Sequence, residues 1–268
     1  MRLHTQRWIT GIVVVPPLVA LILYGSSLLF SIVITLVIIW GVFEYNAMIF
    51  KEKQYLEKTE GLIVGLCIPL AAFMGGVPLM SAAAAFSLII GLLIFLMLMK
   101  QERADFTSLS KVVFGFMYIP FLMSHLILVR HSEGGIAWIF FIIFAAFLGD
   151  ISAFYVGRSM GKNKLIPTVS AGKTVEGAVG GIAGTMLGCV LFKIFFLPDL
   201  FLIHAITLGF MGSLMAQLGD LCESALKRTA MVKDSGTLLP GHGGILDRLD
   251  ALLFLIPFVY YYRLLVIR

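Results

Sequence analysis

Residues 135–157 read Gly-Ile-Ala-Trp-Ile-Phe-Phe-Ile-Ile-Phe-Ala-Ala-Phe-Leu-Gly-Asp-Ile-Ser-Ala-Phe-Tyr-Val-Gly, 23 positions with a single charge, Asp150. About 20 apolar residues at a rise of about 1.5 Å cover a bilayer core of about 30 Å, so this stretch predicts a transmembrane helix. Eight further runs of the same kind lie near 8–25, 27–49, 61–78, 79–99, 112–129, 177–197, 200–220 and 249–266. The composition agrees. Of 268 residues 60% are apolar and 13% charged, and the mean hydropathy is +1.01. Soluble domains hold about 45–50% apolar and about 25% charged residues, so a soluble globular protein is excluded. Disorder, which needs low hydrophobicity and high net charge, is excluded too. Cys67, Cys189 and Cys222, one in each of three apolar stretches, exclude a disulfide scaffold.

The expected fold is therefore an all-α polytopic membrane protein with about nine transmembrane helices. Residues 1–140 form an N-terminal scaffold facing lipid, residues 141–268 carry the polar loops, and no soluble domain fits between them. Gly25-Ser26-Ser27 and Gly75-Gly76-Val77-Pro78 are links so short that they predict helical hairpins or a re-entrant segment. Pro16-Pro17 predicts a kink in the first run. Arg2 and Arg7 ahead of that run resemble a signal-peptide start, but no small-x-small cleavage site follows, so a retained helix is the better reading.

The charges set the orientation. Following nine spans alternately, one side receives Arg2, Arg7, Lys51, Lys53, Lys58, Lys100, Arg103 and Lys111. It also receives Arg158, Lys162, Lys164, Lys173, Lys227, Arg228, Lys233 and Arg248. The other side receives only Arg130, Arg263 and Arg268, while Lys193 falls within a span. Basic loops stay cytoplasmic, which puts the N-terminus and the even-numbered loops there. The net charge of +5 is thus a topological signal and not a sign of nucleic-acid binding.

Polar chemistry is sparse in the first half. Lys51 to Glu60 is a solvated loop, and His125, His131 and His204 have no partner at metal-ligand spacing, which predicts packing roles. Glu44, in Trp40-Gly41-Val42-Phe43-Glu44-Tyr45, is an acid near a span end, where it is costly unless it meets water or a partner. An interfacial position near the cytoplasmic end accounts for it.

The second half is richer. Asp150 lies within its span and is placed to line a polar cavity. The loop Ser170-Ala171-Gly172-Lys173-Thr174-Val175-Glu176-Gly177 holds a Gly-Lys-Thr, yet a Walker A would need glycine where Pro167 stands, and no strand precedes it. Small residues, hydroxyls and Lys173 ahead of a helix still suit an anion, and a plain cap by Thr174 is the alternative. Gly177 and Gly181, with Gly180, Gly184 and Gly188, recur every four residues and predict close helix packing, within one chain or between two copies.

The densest constellation runs from Asp220 to Asp250. Ser224 shares a helical face with Asp220. Lys227-Arg228, Lys233-Asp234, Pro240-Gly241-His242-Gly243-Gly244 and Asp247-Arg248-Leu249-Asp250 follow. Asp247 and Asp250, three apart, project from one helix face and repel unless a cation sits between them. Oxygen ligands suit Mg²⁺ shared with substrate phosphates, and the neighbouring Lys and Arg side chains complement phosphate charge. This is equipment for phosphoryl or nucleotidyl transfer.

The stretch Ser224-x-Leu226-Lys227-Arg228-x4-Lys233-Asp234-x-Gly236-x2-Leu239-Pro240-x-His242-Gly243-Gly244-Ile245-x-Asp247-Arg248-Leu249-Asp250 resembles the signature of the phosphatidate cytidylyltransferases, or CDP-diacylglycerol synthases. Gly149-Asp150 with Ala153, Tyr155, Gly157 and Arg158, and the loop ending Lys173-Thr174-x-Glu176-Gly177, support it. Ala171 stands where many members have Pro. Before residue 140 only Arg7-x-Ile9-Thr10-Gly11 and Glu44 are similar.

The resemblance implies transfer of CMP from CTP to phosphatidate with Mg²⁺, a second cation being left open. It implies Asp220 and Asp247 as metal ligands, with Asp250 sharing or supporting the site. Lys173, Lys227, Arg228 and Lys233 would meet the triphosphate and the lipid head group. Ser170, Thr174, Ser224, Asp150 and Arg248 would line the substrate site, and His242 would touch phosphate or orient its loop. The implied setting is a bacterial inner membrane, with the site on the cytoplasmic face. The competing readings are a CTP-dependent lipid kinase and, from another class, a transporter of phosphorylated anions.

Overall fold

A computed structural model describes residues 15–50, 54–101, 105–237 and 243–267. The Arg7 to Gly11 opening, Lys51, Lys53, Arg103, His242 and Arg268, all used above, lie outside the described residues. The chain gathers into two compact units, Met1–His131 with Asp234–Arg248, and Ser132–Lys233 with Leu249–Arg268.

In the first unit, α1 (Val15–Tyr24) precedes α2 (Ser27–Ile49), which Ser26 caps by accepting from Leu29 N at 3.2 Å. The helical segment α3 (Tyr55–Lys100) is interrupted at Gly75 and Gly76, where Gly76 has a φ of +63°. The interruption folds the segment back on itself. A Cβ placed on Gly91 would meet Glu60 Oε1 at 2.8 Å, and these two residues lie equally far along the chain from the break. Each arm holds about 20 residues or more and so reaches about 30 Å. Next come α4 (Phe106–Phe116), a π-helical turn over Met117–Phe121, and α5 (Leu122–His131). Asp105 caps α4. The N–H of Thr107 and the Ser108 hydroxyl donate to its carboxylate and hold it below the usual acidic range. The π turn falls at Pro120, whose ring removes an N–H from the helical ladder. Ile38, Ile68, Met80, Ile119 and Ile127 are fully buried in this unit.

The second unit begins with α6 (Gly135–Met160), followed by an antiparallel pair, β1 (Lys164–Ile166) and β2 (Ser170–Thr174), then α7 (Val175–Phe196) and α8 (Leu202–Thr229). The small hairpin corrects the all-α expectation. Its strands are short and mostly exposed, so they carry no alternation of apolar and polar residues to mark them. The glycine stripe packs α7 on α6. Gly177 lies against Gly157 and Ala153, Gly181 against Gly149 and Ala153, and a Cβ on Gly184 or Gly188 would run into Ser152 or Leu148. The stripe is thus used within the chain and gives no argument for a dimer. Finally α9 (Leu246–Tyr262) has its first turn among the residues of the first unit and the rest among those of the second, ending in a π-helical stretch, Arg263–Ile267. Close approach to α8 occurs at Gly212, against Leu255, and at Gly219, against the carbonyl of Asp250.

Seven helices among the described residues are long and apolar enough to cross a membrane. The difference from nine runs has two sources. Residues 61–78 and 79–99 belong to the folded-back α3, and the described part of the first run, Val15–Tyr24, is short. The three histidines are engaged as packing residues: His125 with the carbonyls of Phe121 and Leu122, His131 with that of Ile127, and His204 with the Tyr262 hydroxyl. Arg130 donates to the Gly25 carbonyl, and Arg263 to Ser132 and the Glu133 carbonyl while lying 4.4 Å above Trp138.

Candidate active site

The second unit gathers four carboxylates and two lysines. Asp220, near the C-terminal end of α8, pairs through Oδ2 with Lys173 Nζ at 2.6 Å, and its Oδ1 faces the Ser224 hydroxyl at 3.4 Å. One turn on, Glu223 is fully buried and pairs with Lys227 Nζ at 2.5 Å. Asp250, brought beside α8 by the bare backbone of Gly219, has Asp220, Glu223 and Asp150 as electrostatic neighbours. Its Oδ1 accepts from the Ala251 N–H at 2.7 Å. Asp150 is exposed on α6.

Four carboxylates beside only two lysines cannot all stay ionised without further positive charge. Two unit charges about 5 Å apart repel by about 3 kcal/mol at an effective dielectric of about 20, so a divalent cation or a cationic group would relieve the cluster. All its donors are oxygens, which suits Mg²⁺. Among the described residues no three His, Cys, Asp or Glu side chains converge closely enough to hold a metal ion by themselves. Mg²⁺ does not require that, because one or two carboxylates with substrate phosphates and water complete its shell. On this donor set Asp220 and Asp250 fit the ion.

The β-hairpin carries Lys173 to Asp220. Lys164 pairs with Thr174 across the strands, and Lys164 Nζ donates to the Ala171 carbonyl at 2.8 Å. Glu176 accepts from the backbone N–H of Lys162 and Asn163 and from Asn163 Nδ2, which ties the entry of the hairpin to α7. Thr174 is buried and caps α7, its hydroxyl accepting from Gly177 N at 3.1 Å. Of the two readings of this loop, the cap therefore accounts for Thr174, and Lys173 is the residue that joins the acidic cluster. Ser170 is half-buried at the other end of β2. Arg228 is exposed and donates through Nε to the Val169 carbonyl at 3.2 Å, and Lys233 is exposed.

In the first unit, Asp247 opens α9. Its Oδ2 accepts from the N–H groups of Ser235 and Gly244, at 2.9 and 2.8 Å, and lies 3.0 Å from the Ser235 hydroxyl. Gly243 has a φ of +80°, and a Cβ there would meet Asp247 Oδ2 at 2.6 Å. Arg248 is exposed on the same turn. Asp247 and Asp250 share a face of α9, as their spacing requires, and the structure engages the first within one unit and the second within the other.

Two residues escaped the sequence reading. Glu223 was findable, since it lies three residues after Asp220 and four before Lys227, the spacings that place side chains together on a helix. Ser235 was not: it joins Asp247 to Glu44, a residue 191 positions away.

Apolar helices of membrane-crossing length define an integral membrane protein, and its second unit carries this cluster of carboxylates and lysines. A sequence model of the cytidylyltransferase family matches residues 5–266, and the chain belongs to that family. It is 33% identical over 262 residues to the phosphatidate cytidylyltransferase of Bacillus subtilis, covering 96% of each chain. It is 30% identical to the protein of the same name from Synechocystis, covering 98% of this chain and 97% of that one. With the Staphylococcus saprophyticus protein of that name the identity is 43%, over 57% of this chain and 62% of the relative.

Proposed function

We propose that this chain transfers CMP from CTP to phosphatidate, giving CDP-diacylglycerol and pyrophosphate. The observation that carries the reading is similarity along nearly the whole chain to relatives named phosphatidate cytidylyltransferase. The chemistry is consistent. A phosphate oxygen of phosphatidate attacks the α-phosphorus of CTP, the bond from that phosphorus to the bridging oxygen of the β-phosphate breaks, and pyrophosphate leaves with the electron pair. The nucleophile is already an anion, so little base assistance is needed. Positioning and charge neutralisation then dominate.

Lys227 and Lys173, each held against a carboxylate, are the cations proposed for phosphate oxygens, with Arg228 in the last turn of α8 and Lys233 just after it, both exposed. Asp220 and Asp250 are the proposed ligands of Mg²⁺, and Asp247 keeps the ligand role that the family resemblance implies. When bound, Mg²⁺ supplies neutralisation of the triphosphate and of the departing pyrophosphate. Purified protein given CTP and phosphatidate should release pyrophosphate and form the CMP-lipid in equal amounts. Release of CDP with a newly phosphorylated alcohol would indicate a lipid kinase, and no turnover of either kind would remove the enzyme reading.

We also propose nine spans with a cytoplasmic N-terminus, in a bacterial inner membrane. The Lys and Arg distribution supports this, and the folded-back α3 supplies two of the spans. In a background without its three cysteines, Lys162→Cys should react with an impermeant thiol reagent only in inverted vesicles. Glu133→Cys should react only in right-side-out ones. The opposite pattern overturns the orientation.

A further inference from the structure

We infer that Glu44 is a positioning residue, a buried carboxylate on α2 that holds the segment carrying Asp247 in its working shape. This rests on the function proposed above. Glu44 is 4% exposed, inside a helix that carries no other charged residue. A carboxylate so placed is costly unless its oxygens are satisfied. The described residues that satisfy it all come from the segment leading into α9. Ile245 N donates to Oε1 at 2.9 Å, Leu246 N to Oε2 at 3.0 Å, and the Ser235 hydroxyl lies 2.9 Å from Oε2. The first N–H groups of a helix have no partner within it, and a negative charge there is favoured by the helix dipole. Glu44 thus caps α9 from about 200 residues away in sequence.

The glycines of the signature point to the same arrangement. A Cβ on Gly236 would meet Glu44 Oε1 at 2.6 Å, and one on Gly244 would collide with Glu44 Oε2 and the Ser235 hydroxyl. A Cβ on Gly243 would meet Asp247 instead. The bare backbone of the segment is therefore the complement of two carboxylates, with Ser235 between them. The Ser235 hydroxyl lies within hydrogen-bond distance of both acids, its one hydrogen serving either. Its backbone N–H also donates to Asp247. Moving Glu44 loosens Ser235, and Ser235 sets where Asp247 points.

The test uses the full-length protein in detergent micelles, comparing Glu44→Gln and Ser235→Ala with the wild type. Glutamine keeps the size but sets an amide N–H₂ against N–H donors. In Glu44→Gln, backbone hydrogen exchange over 243–248 should rise while the rest of α9 keeps its protection. Turnover should fall by about 10- to 100-fold, the usual effect of losing a partner that orients a ligand. The Mg²⁺ concentration for half-maximal rate should rise, with KM for CTP within about twofold of wild type. A purely architectural role would lower the amount of folded enzyme and leave these constants alone. Ser235→Ala should shift both readouts in the same direction, and the double variant should be no worse than the more damaging single one, because the residues act in one chain of contacts. Unchanged exchange over 243–248 in Glu44→Gln, or wild-type turnover and Mg²⁺ dependence in it, overturns the inference. Should Glu44→Gln fail to fold, Ser235→Ala decides on the same two criteria. If the wild type makes no CMP-lipid, the proposed function fails, while the exchange measurement still tests the clamp.

Discussion

Asp220→Asn should leave a folded membrane protein whose conversion of CTP and phosphatidate is reduced by about 10²- to 10³-fold. Two effects compete, and their sizes decide the outcome. The substitution breaks the ion pair with Lys173, whose side chains are 27% and 30% exposed for Lys and Asp respectively. The Lys173 ammonium is nonetheless enclosed, so the pair is worth more than a surface pair at about 0–1 kcal/mol and less than a fully buried one at about 3–5 kcal/mol, a modest share of a typical total of about 5–15 kcal/mol. The same carboxylate belongs to a cluster that would hold a cation against substrate phosphates. A charge aimed at the reacting centre is worth about 3–4 kcal/mol in the transition state, which is the rate loss stated. Thermal unfolding in detergent should therefore fall by several degrees with the protein still folded, while the initial rate collapses. The double variant with Lys173→Met should return the thermal midpoint toward wild type, because neither unpaired charge is left, and should not return the rate. Activity of Asp220→Asn within about threefold of wild type would remove Asp220 from the reaction.

The parts of this molecule that were legible in the sequence are those encoded locally. Apolar runs of about 20 residues fix helices because the bilayer has one thickness. The Gly75-Gly76-Val77-Pro78 link correctly predicts a fold-back, although the helical segment continues across it so closely that the two arms count as one helix. The every-fourth glycines of α7 bring it close to α6 as expected, since small side chains at that spacing have little use in a membrane helix except close approach. Asp220 with Ser224, and Asp247 with Asp250, share faces by simple periodicity. Other features depend on contacts between distant segments. Nothing near Glu44 in sequence indicates that its partners are Ser235, Ile245 and Leu246. Lys173 and Asp220 are each recognisable alone, but their pairing follows from a β-hairpin whose strands have no apolar rhythm. Thr174 was legible as one of two readings. The loop suits both an anion and a helix cap, and the Thr174 hydroxyl is seen capping α7.

Asp247→Asn separates the two roles that Asp247 can have, orientation of its own segment and provision of charge. Its Oδ2 is the atom that takes the hydrogen bonds from Ser235 and Gly244. An asparagine can present its carbonyl oxygen at that place and put its amide where Oδ1 was, so the contacts that hold the segment are largely kept and the negative charge is lost. Asp247→Ala loses both. If Asp247 serves as a ligand for Mg²⁺, the two variants should lose turnover alike, by about 10³-fold, the order expected when a stabilising charge at the reacting centre is removed. They should differ in hydrogen exchange over 235–237 and 243–248, which stays near wild type in Asp247→Asn and rises in Asp247→Ala. Raising Mg²⁺ to saturation should restore neither, because a neutral amide oxygen does not replace an anionic ligand for a hard cation. The contrary result is equally definite. Wild-type turnover of Asp247→Asn at saturating Mg²⁺, with only Asp247→Ala impaired, would make Asp247 a latch for its segment and leave cation binding to Asp220 and Asp250. Glu44 would then be holding a latch and not a ligand, and the effect of Glu44→Gln on the Mg²⁺ requirement would vanish with it.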